Sequence, residues 1–170
     1  MKLTSRLVVA FALPFLLVAC GDKSSTGPGG NGAGSVTATV DGKQFKAAGV
    51  GVVGTWVMDN VLNISATDWS SGTRQIIINA YNVKGTGTYN LGGTNISSGT
   101  YSEGQSINDV NSWVSNVPNG SGSLVITQLD ATGAKGTFSF TGLGGEDGSL
   151  GTRVITKGEF DVKFMGAGFP

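Results

Sequence analysis

Hydrophobic and polar residues alternate with a period of two over most of the chain beyond residue 34, a pattern typical of half-buried β-strands. Residues 36–40 alternate in this way, and residues 43–47 run on after a short break. The break is Asp41-Gly42, the pair preferred in a type I′ hairpin turn. The sequence therefore predicts that the folded region opens with an antiparallel hairpin.

The same alternation predicts further strands at residues 50–57, 61–66, 74–83, 88–91, 122–130, 135–141 and 153–164. Three consecutive isoleucines, residues 76–78, indicate a central strand buried on both faces. Helical periodicity is not sustained in any window after residue 34. About nine to ten short strands with frequent turns indicate an all-β fold, an antiparallel β-sandwich or barrel, in one domain spanning residues 35–170.

The pattern weakens between residues 92 and 120, where apolar residues stand alone among polar ones. A segment of this length inside a compact domain is either a functional loop or contains short strands. Two of its isolated residues are aromatic, Tyr101 and Trp113. Since aromatic rings can stack on a sugar or a lipid, these two are the candidate ligand-binding residues.

The first 19 residues have the pattern of a signal peptide. Lys2 and Arg6 precede an apolar run, residues 7–19, that contains Pro14. The run is shorter than the roughly 20 residues that cross a bilayer as a stable helix. We therefore expect residues 1–19 to be a removable leader.

The leader ends in the sequence LVAC, residues 17–20, which resembles the lipobox of bacterial lipoproteins. The resemblance implies that the chain is cut before Cys20 and that lipid is attached to Cys20. The alternative is an ordinary secretory signal with an incidental cysteine. It fits less well because such a signal prefers a small residue where Leu17 stands.

A glycine- and serine-rich stretch follows the cysteine, so residues 20–34 are expected to form a lipidated, flexible tether. Such a coil has a mean reach of about 20 Å. Asp22 is the second residue after Cys20, not the first, so it is not read as an inner-membrane retention signal. The expected location is the cell envelope, at the outer membrane.

Charge and composition narrow the function classes. Without Lys2 and Arg6, nine basic residues face eleven acidic ones, so no basic surplus remains for phosphates and nucleic-acid binding is not expected. The chain has no histidine, the commonest general base, and one cysteine, which excludes an intramolecular disulfide and a thiolate zinc site. Neither a cofactor nor enzyme activity is expected.

Two acidic pairs are candidate sites. Glu146 and Asp147 in a glycine-rich loop could offer oxygen ligands to calcium, although adjacent acids do not make an EF-hand and loop acids are common. Glu159 and Asp161 share one strand face, at a spacing that permits a glycosidase pair without marking one. A solvated charged face explains them equally well.

The other two tryptophans are expected to do different things. Trp56 has the parity of the core positions in its strand, whereas Trp69 falls in a predicted turn. They are expected near opposite ends of one hairpin and should not form a shared stacking platform.

A family resemblance is carried by four segments: LVAC, VTATVDGKQFKA, GTFSF and ITKGEFDV. They resemble a family of small, uncharacterised bacterial envelope lipoproteins. The resemblance implies a β-fold and a location in the cell envelope. It assigns no catalytic residues to this chain. We expect a membrane-anchored, non-catalytic β-domain that binds a small ligand, a glycan or an envelope protein. The alternatives are a structural envelope lipoprotein without a small ligand and a carboxylate-dependent glycan hydrolase.

Overall fold

The computed structural model describes residues 34–58, 60–106, 109–145 and 150–165. The expected leader, the lipidation site Cys20 and the tether up to residue 33 lie outside these ranges. The calcium candidates Glu146 and Asp147 also lie outside them.

Within the described ranges the chain forms eleven strands and one short 3-10 turn, Gly49–Gly51. The strands are β1 (Ser35–Val40), β2 (Lys43–Ala48), β3 (Val52–Val57), β4 (Val61–Asp68), β5 (Thr73–Ala80), β6 (Gly87–Leu91), β7 (Ser98–Ser106), β8 (Asp109–Val114), β9 (Ser121–Asp130), β10 (Gly133–Gly144) and β11 (Thr152–Lys163). The described residues include no helix long and apolar enough to cross a membrane.

The opening hairpin forms as the sequence predicts. Asp41 and Gly42 have φ values of 46° and 82°, the left-handed backbone that a type I′ turn requires at both central positions. Val40 then pairs with Lys43, and the ladder continues to Ser35 and Ala48. The Asp-Gly pair therefore sets the register of β1 and β2.

One antiparallel sheet contains all eleven strands of the described ranges. Nine of them follow one another in the order β2-β1-β11-β10-β8-β7-β5-β4-β3, and β9 and β6 branch from β10. Strand β10 has two neighbours along one edge, because residues 133–141 pair with β9 and residues 143–144 pair with β8. Strand β6 adds to the far side of β9. The all-β antiparallel prediction is confirmed.

The sheet curls until β3, the last strand in the sheet order, meets the residues that follow β11. Gly54 of β3 forms a bridge with Phe164, and the amide of Met165 donates a 3.0 Å hydrogen bond to the Gly54 carbonyl. The result is a nearly closed barrel. Its interior holds the apolar core, to which β7 contributes Tyr101, β8 contributes Trp113 and the other strands contribute aliphatic or phenyl side chains.

The central strand β5 differs in detail from its prediction. Ile76 and Ile78 are fully buried inside the barrel, but Ile77 points to the outer face and is only half-buried. The strand ends at Ala80 rather than continuing to residue 83. Strand β5 is central because it lies between β4 and β7. Its outer face is not fully buried, because no second layer of described residues covers that face.

The weakly patterned segment between residues 92 and 120 contains two paired strands, β7 and β8. It is therefore part of the barrel wall and not one long loop. These strands account for the difference between the expected nine to ten strands and the eleven that form.

Candidate functional site: the mouth of the barrel

One end of the barrel opens into a cleft of about 510 Å³, which we call the mouth. It lies where the β1–β2 and β4–β5 turns, the end of β7 and the beginning of β8 meet the start of β11. The residues that line it are Val40, Asp41, Lys43, Ser71, Thr73, Arg74, Tyr101, Glu103, Gly104, Gln105, Asp109, Asn111 and Arg153.

Arg153 holds one side of the mouth together. Its Nη2 donates a 2.8 Å hydrogen bond to Oε1 of Glu103, and its Nε lies 3.4 Å from Oδ2 of Asp41. Its guanidinium also lies over the ring of Trp113, 4.2 Å from the ring centre. A cation over an aromatic face is attracted by the ring's negative π-surface. Arg153 therefore ties β11 to the first turn, to β7 and to β8.

Asp41 is fixed from a second direction. Its Oδ1 accepts a 2.9 Å hydrogen bond from the amide of Val154, and its own amide donates a 3.0 Å bond to the Val154 carbonyl. The turn that closes the first hairpin is therefore attached to β11 next to Arg153. The carboxylate that faces Arg153 has little freedom to move.

Glu103 and Tyr101 share a hydrogen bond, in which the Tyr101 hydroxyl donates to Oε2 of Glu103 over 2.7 Å. Burial raises the pKa of Glu103, but the hydrogen bonds from Arg153 and Tyr101 outweigh burial and hold that pKa below its ordinary value. Burial and the bond to Glu103 raise the pKa of Tyr101 above its ordinary value. The pair is therefore a carboxylate and a neutral phenol at neutral pH.

Arg74 closes the other side of the mouth. It forms an ion pair with Asp68, and its Nη1 donates a 2.9 Å hydrogen bond to the carbonyl of Gln44. Its guanidinium lies 5.7 Å from the centre of the Phe45 ring. Because β2 and β4 share no backbone ladder, these side-chain contacts join them.

Asp68 is the buried centre of that contact, with 3% of its surface exposed. It accepts hydrogen bonds from the amides of Lys46, at 3.0 Å, and Ser70, at 2.8 Å. Burial raises the pKa of Asp68, but these bonds and the Arg74 charge together lower it below its ordinary value. Nε of Arg74 is buried and has no hydrogen-bond partner among the described residues.

The structure brings the two candidate ligand-binding residues together. Tyr101 and Trp113 pair across β7 and β8, and their ring centres are 5.9 Å apart. They are only 1% and 3% exposed, and Trp113 also donates a 3.2 Å hydrogen bond to the Leu150 carbonyl. Tyr101 lines the mouth and Arg153 covers the Trp113 ring, and since both rings are buried, neither presents an open face for stacking. Their part in ligand binding stays a prediction.

The other candidates lie away from the mouth. Glu159 and Asp161 are on the outer face of β11, where Asp161 forms an exposed 2.8 Å ion pair with Lys135. Trp56 is in the core, as predicted, and Trp69 is exposed in the β4–β5 turn. Within the described ranges, no three acidic, cysteine or histidine side chains come together to hold a metal ion.

Sequence reasoning missed the charged residues that build the mouth: Asp41, Arg74, Glu103 and Arg153. A signal was present, because the chain has few charged residues and its only two arginines beyond the leader are Arg74 and Arg153. Glu103 also stands two residues from Tyr101, on the same strand face. The pairing of Arg153 with Glu103, however, spans fifty residues and depends on a strand order that the sequence pattern does not reveal.

The mouth offers hydrogen-bonding groups of both kinds with balanced charge. Three cations, Lys43, Arg74 and Arg153, face three carboxylates, Asp41, Glu103 and Asp109. Arg74 and Arg153 are held in ion pairs. The remaining groups are the amides of Gln105 and Asn111 and the hydroxyls of Ser71 and Thr73. The mouth therefore has a rigid half, held by the ion pairs of Arg74 and Arg153, and a half whose polar side chains face solvent.

Comparison with known families identifies a match. A family model described as "Domain of unknown function (DUF6252)" matches residues 32–162, which cover the barrel almost completely. No curated protein matches the chain. No solved structure matches it either. Since the matched residues make up most of the chain, this protein belongs to the DUF6252 family.

Proposed function

We propose that the barrel is the ligand-binding domain of a lipid-anchored envelope protein, and that its mouth holds a neutral, hydroxyl-rich ligand such as a saccharide unit. The observation that carries the proposal is the mouth itself. Its volume of about 510 Å³ falls in the range of small-molecule sites. Its lining is polar, and its positive and negative charges are equal in number.

The charge balance favours an uncharged ligand. A ligand with a net charge would be attracted by one half of the lining residues and repelled by the other half. A hydroxyl group both donates and accepts, so it can satisfy ammonium, carboxylate and amide groups in turn. A ligand rich in hydroxyls therefore matches the mixed lining best.

Several lining groups are available to such a ligand. Lys43 and Asp109 are exposed, and no ion pair to either occurs among the described residues. Gln105 and Asn111 are exposed beside them on β7 and β8. These four side chains come from three different strands, so together they can contact a ligand from more than one side.

The rigid half of the mouth supports binding by pre-organisation. Arg153 is held by Glu103, Asp41 and Trp113, so the wall that a ligand meets does not have to be ordered when it binds. Ordering a free side chain at an interface typically costs about 0.5–1.5 kcal/mol. The same contacts separate the polar ligand site from the apolar core below.

The ligand proposal is tested with the chain from residue 21 onward on a panel of envelope saccharides. We expect binding by the wild type, and a loss of about tenfold or more in Asn111→Leu, since one hydrogen bond to the ligand is removed and an apolar group replaces it. The matched control is Asn90→Leu on β6, which is exposed and does not line the mouth. Absence of saccharide binding, or equal affinities for all three proteins, would rule the proposal out.

The anchor is tested separately by feeding cells a fatty-acid probe. The lipobox LVAC supports acylation of Cys20, and two or more acyl chains give a lasting anchor because each buried methylene contributes about 0.8 kcal/mol. We expect label on the wild type and none on Cys20→Ser. Label on both, or on neither, would contradict the anchor and leave the ligand proposal standing.

A further inference from the structure

Trp69 and Val50 form an exposed apolar pair beside the point where the tether enters the barrel. Trp69 is 59% exposed and Val50 is 86% exposed. Gly51 lies directly under the Trp69 ring, since a Cβ on Gly51 would come within 2.9 Å of Cζ3. The amide of Gly49 donates a 3.0 Å hydrogen bond to the carbonyl of Gly34. We call Val50 and Trp69 the tether-side patch.

The conformation of the β4–β5 turn places Trp69 on the outer surface of the barrel. The side chain before it, Asp68, points inward and accepts hydrogen bonds from the amides of Lys46 and Ser70, which hold the turn in this orientation. Trp69 must then lie on the outside of the barrel. The other two tryptophans, Trp56 and Trp113, are 7% and 3% exposed, which shows that this chain otherwise buries its indoles.

We propose that the tether-side patch docks on the bilayer interface to which the lipid on Cys20 would hold the protein. The inference rests on the anchoring part of the proposed function and not on the ligand. Tryptophan is enriched at membrane–water interfaces because its ring is apolar and its N–H is polar. Lys46 is exposed on β2 beside the turn and places a positive charge where anionic headgroups would lie.

The length and attachment of the tether support this occupant. The described chain begins at Gly34, and the carbonyl of Gly34 is hydrogen-bonded to the 3-10 turn that carries Val50. With the expected tether reach of about 20 Å, lipid on Cys20 would keep the patch close to the bilayer. A weak interfacial contact is then strengthened by high effective concentration.

Trp69 supplies its own probe, because the two buried tryptophans are shielded from quenchers. The lipidated protein is reconstituted in phosphatidylcholine–phosphatidylglycerol vesicles that contain a lipid with brominated chains. We expect Trp69 emission to shift to the blue and to be quenched. The Val50→Asp variant should show quenching reduced about twofold or more, because a charge next to the indole opposes insertion. The matched control is Ile96→Asp, an exposed apolar residue in the β6–β7 connection, and its quenching should equal that of the wild type.

A second sample separates this inference from lipidation. The chain from Gly21 onward carries a histidine tag in place of the lipid and is bound to vesicles through a nickel-chelating lipid. Quenching in this sample supports the patch even if Cys20 proves not to be acylated. Unchanged Trp69 emission on bound vesicles would overturn the inference. It would equally be overturned if acrylamide failed to quench Trp69 without vesicles, because the tether would then already cover the patch.

Discussion

Each of the two arginines of the mouth lies on an aromatic ring of the core, Arg153 on Trp113 and Arg74 on Phe45. A guanidinium suits this position because its flat face is weakly hydrated while its edge keeps five donors in a plane. The charged edge can then pair with a carboxylate, and the face covers apolar carbon. The end of the barrel is therefore sealed by charged groups without leaving the core exposed.

Removing the charge of Arg153 should destabilise the fold. In Arg153→Met the apolar stem remains, but Glu103 loses its ion pair and, among the described residues, keeps only the Tyr101 hydroxyl as a hydrogen-bonding side-chain partner. We expect the free energy of unfolding to fall by about 1–3 kcal/mol, since hydrogen bonds to charged groups contribute at the upper end of the usual range. Urea denaturation followed by fluorescence measures the change.

The matched control for that substitution is Lys135→Met. Lys135 pairs with Asp161 at the same 2.8 Å, but both side chains are almost half exposed. Exposed ion pairs contribute about 0–1 kcal/mol, so this variant should lie close to the wild type. Equal losses in the two variants would show that the position of Arg153 over Trp113 adds nothing.

Acid should weaken the mouth through Glu103. Its pKa is lower in the folded protein than the ordinary value of 4.5, so the carboxylate stabilises the fold above that value and this contribution is lost as pH falls through the lowered pKa. Glu103→Gln cannot titrate there. Between about pH 6 and about pH 3 we expect the wild type to lose more stability than the variant. Urea midpoints measured across that range would refute the assignment if the two proteins lost stability in parallel.

At the residue scale the sequence singled out Tyr101, which lines the mouth, and its neighbour Trp113, but not the charged residues around them. Tyr101 and Trp113 were visible as aromatic residues isolated in a polar stretch. Arg153 and Glu103 carry only a weak local signal, because a single charged residue on a strand is ordinarily solvated. Only the fold, which places β11 beside the first turn and across from β7, makes them partners.

At the scale of single elements, β8 shows why the strands around the mouth were missed. Trp113 points into the barrel, so Asn111 and Asp109 share its face and project into the mouth. Val110, on the opposite face, is 52% exposed. Near the mouth the inward positions are therefore polar, and alternation no longer distinguishes inside from outside. The first hairpin and β11 were predicted well because their inward positions reach the core.

Strand β10 is the junction of the fold, with β11 on one edge and β9 and β8 on the other. Its register with β9 shifts next to Gly136. A Cβ at Gly136 would overlap the Val125 carbonyl oxygen and lie within 3 Å of the Phe160 ring. The backbone of β9 therefore comes closer to β10 than any side chain would allow.

Gly136→Ala should accordingly be severely destabilising. Overpacking a core typically costs about 1–3 kcal/mol, and here the clash involves backbone that cannot rotate away, so we expect a loss at or above that range. Thr137→Ala, at the next residue, removes an exposed side chain and should shift stability by less than about 1 kcal/mol. Thermal denaturation distinguishes the two, and a Gly136→Ala protein as stable as Thr137→Ala would disprove the close approach.

At the scale of the whole molecule, closure of the barrel depends on a short contact after the end of β11. Phe164 lies against Trp56, with 6.3 Å between the ring centres, and the next amide binds the carbonyl of Gly54. Strand β3 is the last in the strand order, and β11 is six places before it. These contacts join the two strands and so close the barrel. Without them, β3 would be an open edge.

Phe164→Ala should therefore loosen the closure. Full removal of a buried phenyl ring costs about 3–5 kcal/mol. Since Phe164 is only partly buried, we expect the free energy of unfolding to fall by about 2 kcal/mol. The emission of Trp56 should shift to the red, because its ring becomes exposed to water. Met165→Ala is the control, because its side chain is exposed and its contact to Gly54 is made by the backbone. A Phe164→Ala protein with unchanged stability and emission would place closure elsewhere.

The position of β1 between β2 and β11 has a consequence for how the protein is made. Ser35 pairs with Asp161 and Val40 with Ile155, so the first strand gains its second neighbour only from the last. Pairing of such distant segments is slow, because the chain between them must be ordered first. A growing chain can form the first hairpin early, but the barrel cannot close until almost the whole polypeptide is present.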